Sequence, residues 1–381
     1  MRRWVISSLV LAGASHAAAK PMMPPEPAPM ARALNNVERY VKAHPDDEQG
    51  HFTLGRLHLL TYGGETDVRL IGGEKQTPYL YFDDPGRGAP PGKGPAAELD
   101  AAIAELERAV KLDANDVRPQ VSLAWALEER AARSPNHEGA ADALAAWRKV
   151  FARTKVDDAH PARGIGPDLD LEAADGIARL LAGKSDAASQ KELAELKAYR
   201  DKTEKAPRAI SPVVVLLDGS DALVPHVDSQ AHRHFDLDGL DRNRAWPWLR
   251  PTAAFLAWDP DGCGRIRDGR QLFGNVTWWG LWRDGYEPLA LLDDDGDGAL
   301  SGDELAGLVL WTDQNSDGVS DSGEVLDVRA AGVVRIQVSP DGVRDGVTWQ
   351  RAGVTMRNGK KLATYDWTPQ SLSEPKVSVR P

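Results

Sequence analysis

Between residues 293 and 327 the chain carries eleven aspartates and glutamates and neither lysine nor arginine. Like charges at close range repel by about 1 kcal/mol per contact even in water, so such a segment needs something to cancel its charge. Its first part, DDDGDGALSGDE (293–304), has a regular spacing. Calcium takes six to eight oxygen ligands, and a twelve-residue calcium loop supplies them from positions 1, 3, 5, 7, 9 and 12, with glycine at 6 for a sharp turn. Counting from Asp293 gives Asp293, Asp295 and Asp297, then Gly298, the Ala299 carbonyl, Ser301 and Glu304. Counting from Asp313 gives Asp313, Asn315 and Asp317, then Gly318, the Val319 carbonyl, Asp321 and Glu324. Solvated Asp/Gly turns explain the glycines but not a glutamate at position 12 twice. Two calcium sites are expected.

Two further stretches keep the turn and lose ligands. In DPDGCGRIRDGR (259–270), Asp259, Asp261 and Gly264 remain, but Cys263 stands at position 5, Arg267 at 9 and Arg270 at 12. Thiol and guanidinium are poor calcium ligands. Asp236, Asp238 and Asp241 in FDLDGLDRN form a weaker set. Leu300, at position 8, is expected to pack under its loop and pair with a neighbouring loop. Only LAGLVLWT separates Glu304 from Asp313, so one short helix is expected to join the loops, which favours a structural staple over a switch with long opening helices.

The start of the chain has a basic pair, Arg2 and Arg3, then an apolar run too short to span a bilayer, and small residues ending in AAA. Residues 1–19 are therefore predicted to be a signal peptide, with export to the periplasm or medium and no membrane span in the mature chain. The single cysteine, Cys263, cannot form an internal disulfide, which leaves metal as a candidate staple. A net charge of -11 argues against nucleic-acid binding.

Residues 20–30 form a proline-rich leader, and helical periodicity follows over 31–200. There VERYVKAHPDD (37–47) and LERAVKLDAND (106–116) align at an offset of 69 residues, close to twice the 34 of tetratricopeptide repeats. Leu54, Leu57, Leu123 and Leu127 are placed in the helix seam, with Gly55, Ala109 and Ala124 allowing close approach. A Gly/Pro-rich insert over 61–95 carries Tyr62, Tyr79 and Tyr81. Residues 201–210 read as a linker. From 211 to 381 the pattern becomes short strands and Asp-Gly turns, ending in an expected hairpin over GVTWQRAGVTMRNGKKLATYDW.

The helical half resembles the tetratricopeptide-repeat family through LGRLH and AIAELERAVKLDAND. The order of VVVLLDG, FDLDG, FLAWDPDGCGRIRDGRQLFG, GYEPLALLDDDGDGALSGDE and VLWTDQNSDGVSDSGEV resembles the EF-hand-like calcium-binding region of large secreted bacterial proteins of the haemolysin or repeats-in-toxin kind. The first resemblance implies protein–protein interaction; the second implies calcium binding and export, with ligand roles on the two complete loops and no catalysis. The expected fold is multidomain: all-α tetratricopeptide-like repeats, then a small α+β domain with EF-hand-type loops.

Seven of the twelve tryptophans lie between Trp246 and Trp311. They are expected in the core; exposed, they would suit a carbohydrate ligand, and a calcium-stabilised carbohydrate-active enzyme or lectin is the alternative. His232 and His234 beside Asp236 are the strongest catalytic candidate, but HExxH, GxSxG and a phosphate-binding glycine loop are absent. No catalytic residue is assigned. The two halves are expected to melt separately, with chelation affecting only the second.

Overall fold

Apolar residues spaced three and four apart build the first half of the computed structural model, which describes residues 28–64, 95–156, 165–204, 206–242 and 244–372. The predicted signal peptide, nearly all of the leader and residues 65–94 of the insert, with Tyr79 and Tyr81, lie outside the described residues. Helices α1 (Met30–Ala43), α2 (Glu48–Gly64), α3 (Ala96–Leu112) and α4 (Arg118–Arg133) are followed by α5 (Ala140–Thr154), α6 (Leu169–Leu181) and α7 (Ala187–Thr203), each packed on the next. The 69-residue offset relates α1–α2 to α3–α4, and an aspartate closes both turns. Asp47 accepts from the Gly50 amide at 2.8 Å and Asp116 from the Arg118 amide at 2.8 Å, satisfying donors that a helix start leaves unpaired. Gly55 lets α2 lie directly on α3, since a Cβ there would sit 2.7 Å from Leu106 Cγ. None of the helices among the described residues is long and apolar enough to cross a membrane.

The second half is a curled antiparallel sheet domain with little helix. Its strands are β1 (Val213–Leu216), β2 (Val227–His234), β3 (Ala245–Leu249), β4 (Ala253–Trp258), β5 (Ala299–Ser301), β6 (Leu308–Trp311), β7 (Val325–Asp327), β8 (Val333–Gln337), β9 (Gly342–Arg344), β10 (Val347–Met356) and β11 (Lys361–Asp366), with a short helix α8 (Tyr286–Ala290). Nine strands form one sheet in the order β5-β8-β10-β11-β1-β4-β6-β7, with β9 on β10, while β2 and β3 pair separately. The expected hairpin is β10–β11.

The helix expected between the two acidic loops is not there. A short 3-10 turn, Gly302–Leu305, leads instead into β6, which pairs with β4 on one side and β7 on the other. All four β6 residues are buried. A continuous Leu-Val-Leu-Trp run suits a strand covered on both faces, and at four residues it is too short for a stable helix.

The two halves share a core. Met30, Val37, Leu54 and Leu57 of α1 and α2 belong to the same buried cluster as Phe273, Trp278, Leu289 and Leu292 of the sheet domain. The predicted linker is pinned as well: α7 runs into it as far as Thr203, Arg208 is buried, and Ala209 forms a bridge with Gln370. Six of the seven clustered tryptophans are buried, Trp279 partly so. Trp248, Trp311 and Phe255 meet with ring centroids 5.2 to 5.8 Å apart.

A core shared across the halves predicts one cooperative transition in place of the separate melting expected from the sequence. Leu57→Ala should cost about 2–5 kcal/mol, and it should move the helical circular-dichroism and tryptophan-fluorescence curves together in urea. Two curves that part on mutation would contradict the shared core.

Candidate metal centre

One backbone device recurs four times. The carboxylate of Asp293 accepts from the amides four and five residues on, Asp297 at 3.2 Å and Gly298 at 2.9 Å. Asp313 does the same with Asp317 at 3.2 Å and Gly318 at 2.8 Å. Asp259 takes Cys263 at 3.1 Å and Gly264 at 2.8 Å, and Asp236 takes Leu240 at 2.9 Å and Asp241 at 3.0 Å. In each turn, positions 4 and 6 have positive φ: Gly239 and Asp241, Gly262 and Gly264, Gly296 and Gly298, Ser316 and Gly318. Glycine occupies most of these because a Cβ is disfavoured there.

The two complete loops add a second closure at position 12. Buried Glu304 accepts from the amides of Asp294 at 2.7 Å and Ser301 at 2.8 Å. Buried Glu324 accepts from Gln314 at 2.8 Å and Asp321 at 3.0 Å. Each glutamate thus ties position 2 to position 9 and holds its carboxylate inside the loop.

In the 293–304 loop, Asp293, Asp295 and Asp297 each bring one oxygen to within 4.8 Å of the others. Burial raises the Asp293 carboxyl above its ordinary value, with Glu304 adding to the rise and the backbone donors opposing it. Ser301 caps the following turn with Glu304 as its partner, and Ala299 pairs with Gln337 in β5. Arg335 of β8 forms a two-pronged contact with Asp297, 3.1 Å to each oxygen. In the 313–324 loop, Trp248 donates to Asp313 at 2.6 Å, and the Asn315 amide lies 3.1 Å from Asp317 and 3.0 Å from Asp321. Val319 is exposed at the loop's outer face. An all-oxygen donor set of this kind fits a hard cation such as calcium rather than a soft one.

The complete loops are not neighbours. Leu300 is buried as expected, but its backbone partner is Ile336 of β8 and not another loop. The first loop feeds β5 at one end of the strand order, and the second joins β6 to β7 at the other. Loop 313–324 instead meets the incomplete 259–270 turn, where Ser320 Oγ accepts from the Ile266 amide at 2.9 Å, and strand β2, where Arg233 Nε donates to the Ser316 carbonyl. Arg335, Trp248 and Arg233 were invisible to spacing arguments because they arrive from distant strands. His232 and His234 lie on β2, where His232 Nδ1 sits 3.3 Å from the Gln230 carbonyl and His234 is exposed.

The family model described as the SPM domain matches residues 213–368, a span that takes in all four aspartate-headed turns. The iron-regulated protein FrpA of Neisseria meningitidis serogroup C is 28% identical over 133 residues, covering 34% of this chain and 12% of FrpA. The chain therefore spans about an eighth of that relative's length.

The Asp236 turn lacks a position-12 carboxylate, and its own carboxyl is largely buried beside two other aspartates. Burial, with Asp268 and Asp238 nearby, pushes the Asp236 carboxyl up to about 8. An unfolded aspartate titrates at about 3.9. Between these values the native state holds the extra proton, so this group's stabilisation is complete below the lower value and lost as pH rises through the upper one, by at most about 1.4 kcal/mol per pH unit. Asp236→Asn removes the titration while giving up one of the two amide bonds, since an amide Nδ2 cannot accept as Asp236 does from Leu240 and Asp241. The variant should gain stability relative to the parent as pH rises from about 5 to 8, measured by denaturant titration; parallel pH profiles would contradict the assignment.

Proposed function

We propose that the protein is an exported calcium-binding protein, with calcium at 293–304 and 313–324 acting as a structural staple of the sheet domain. The observation that carries this reading is the double closure of both loops: position 1 gathers the amides of positions 5 and 6, and position 12 gathers those of 2 and 9. In an EF-hand-like loop this arrangement presents Asp293, Asp295, Asp297, the Ala299 carbonyl, Ser301 and Glu304 to one ion, and Asp313, Asn315, Asp317, the Val319 carbonyl, Asp321 and Glu324 to another. The match to the SPM domain and the likeness to FrpA are compatible with this reading and name no ligand. The predicted signal peptide supports a periplasmic or secreted location.

The helical half reads as tetratricopeptide-like and as the part that would meet a protein partner, with its α1–α2 apolar face covered by the sheet domain. Burial of six of the seven clustered tryptophans counts against the exposed aromatic platform that the lectin or carbohydrate-active alternative calls for.

Binding only to the folded form stabilises it by about 2.7 kcal/mol per site at a hundredfold excess over Kd, and sites with Kd near about 10⁻⁴ M suffice where calcium is plentiful. Calorimetry of the full chain should find two calcium ions, one lost in Glu304→Gln and the other in Glu324→Gln. Because the loops lie at opposite ends of the sheet, the two sites should titrate independently. EGTA should lower the melting temperature of the whole chain. Stoichiometry unchanged in the double variant would rule the sites out.

A further inference from the structure

We propose that Arg32, Asn36 and Arg39 of α1 are positioning residues for the 293–304 loop, so that calcium held there and docking of the helical domain reinforce each other. This inference rests on the calcium reading above and adds to it a contribution from the other domain.

Residues 32, 36 and 39 are spaced to share one stripe of a helix. The adjoining stripe, Ala33, Val37 and Val41, enters the core shared with the sheet domain. The polar stripe holds the stretch of chain entering the loop. Arg32 Nε donates to Asp294 Oδ1 at 2.8 Å, and its Nη2 donates to the Leu292 carbonyl. Asn36 Nδ2 donates to the Leu291 carbonyl at 2.9 Å and to Asp294 Oδ1 at 2.8 Å. Arg39 Nη2 donates to the Asp294 carbonyl at 2.6 Å and to Asn36 Oδ1 at 2.7 Å. The residues on both sides of Asp293 are therefore fixed from α1.

Asp294, at position 2, is the one early aspartate outside the converging trio. Its side chain turns to α1, while its amide donates to Glu304. Asp294 Oδ1 accepts from both Arg32 Nε and Asn36 Nδ2 at 2.8 Å. The helix thus absorbs the charge that does not face the ion and steadies the amide that positions Glu304. Loop 313–324 provides an internal comparison, since position 2 is Gln314 and its grips, Arg233, Trp248 and Ile266, all come from the sheet domain.

Coupling between sites is reciprocal and commonly amounts to about 5- to 150-fold in affinity. The test titrates calcium into full-length protein carrying Glu324→Gln, which isolates the first loop, with and without Arg32→Ala/Asn36→Ala/Arg39→Ala. The triple variant should bind at least about fivefold more weakly. The same triple change in a Glu304→Gln background should leave the second loop's affinity unaltered, which also reports that the protein has folded. The milder Asn36→Leu should weaken the first loop in the same direction. Amide exchange across α1 should slow on calcium addition in the Glu324→Gln protein. Calcium binding to the first loop with unchanged affinity, or α1 exchange indifferent to calcium, overturns the clamp alone. Absence of calcium binding in the Glu324→Gln parent overturns the underlying reading and the clamp with it.

Discussion

A single aspartate carboxylate that collects two successive backbone amides is the constraint on which the sheet domain is built. It recurs at Asp236, Asp259, Asp293 and Asp313, and each time it forces the chain through two left-handed positions. A hydrogen bond to a charged acceptor contributes about 1.5–3 kcal/mol, whereas a contact between exposed carboxylates costs about 1 kcal/mol. Where the aspartate is ionised, two such bonds per turn outweigh the repulsion of one neighbouring pair. The turn itself therefore needs no ion, which is why the one at Asp259 survives with Cys263 and Arg267 in place of ligands. An ion at the complete loops would act on the clustered carboxylates, those at positions 1, 3, 5 and 12 of the first loop and 1, 5, 9 and 12 of the second.

The second constraint lies where the domains meet. Trp278, Trp279 and Leu281 all have positive φ, a conformation that costs non-glycine residues on the order of 1–3 kcal/mol each and persists only where the surroundings enforce it. Sheet-domain bonds such as Trp278 N–H to the Arg270 carbonyl supply part of the enforcement, and the helical half supplies the rest. Buried Arg56 donates to the Trp279 carbonyl through Nε at 3.1 Å and Nη2 at 2.7 Å, and Arg118 Nη1 reaches the Leu281 carbonyl at 3.3 Å. Burial pulls Arg56 down to about 10, still far above neutrality, so the guanidinium keeps its charge at physiological pH. With Trp278 and Trp282 in the shared cluster, this segment ties the domains together by backbone bonds as well as apolar contact.

These two constraints differ in how far the sequence reveals them. The Asp-x-Asp-x-Asp-Gly spacing and the position-12 glutamates are local, and so the candidate ligands could be read directly. The repeat offset likewise located the turns at Asp47 and Asp116, because a helix hairpin is written over about 30 consecutive residues. What could not be read was anything set by distant pairing. A short helix is expected over 305–312 because so few residues join the two loops, and an apolar run of that length has no periodicity to argue otherwise; only β4 and β7 make 308–311 a strand. Leu300 finds Ile336 instead of another loop for the same reason. Nothing near Asp294 announces Arg32, some 260 residues earlier, and nothing in RPQVSL foretells that Arg118 will hold a tryptophan-rich turn.

The positions of the two complete loops follow from how the sheet ends. The terminal strands of the main order, β5 and β7, have three residues each, too few for ladder bonds alone to hold them firmly, and unpaired edges invite association with other chains. Strand β5 consists of positions 7 to 9 of the first loop, and β7 begins at the residue after position 12 of the second. Whatever fixes a loop therefore fixes an edge. In the proposed calcium-bound state each ion would hem one side of the sheet, and α1 would bear on the β5 side a second time through Asp294. A chain with one cysteine has no internal disulfide with which to do the same, and the two short strands that end the main order stand where the carboxylates are densest.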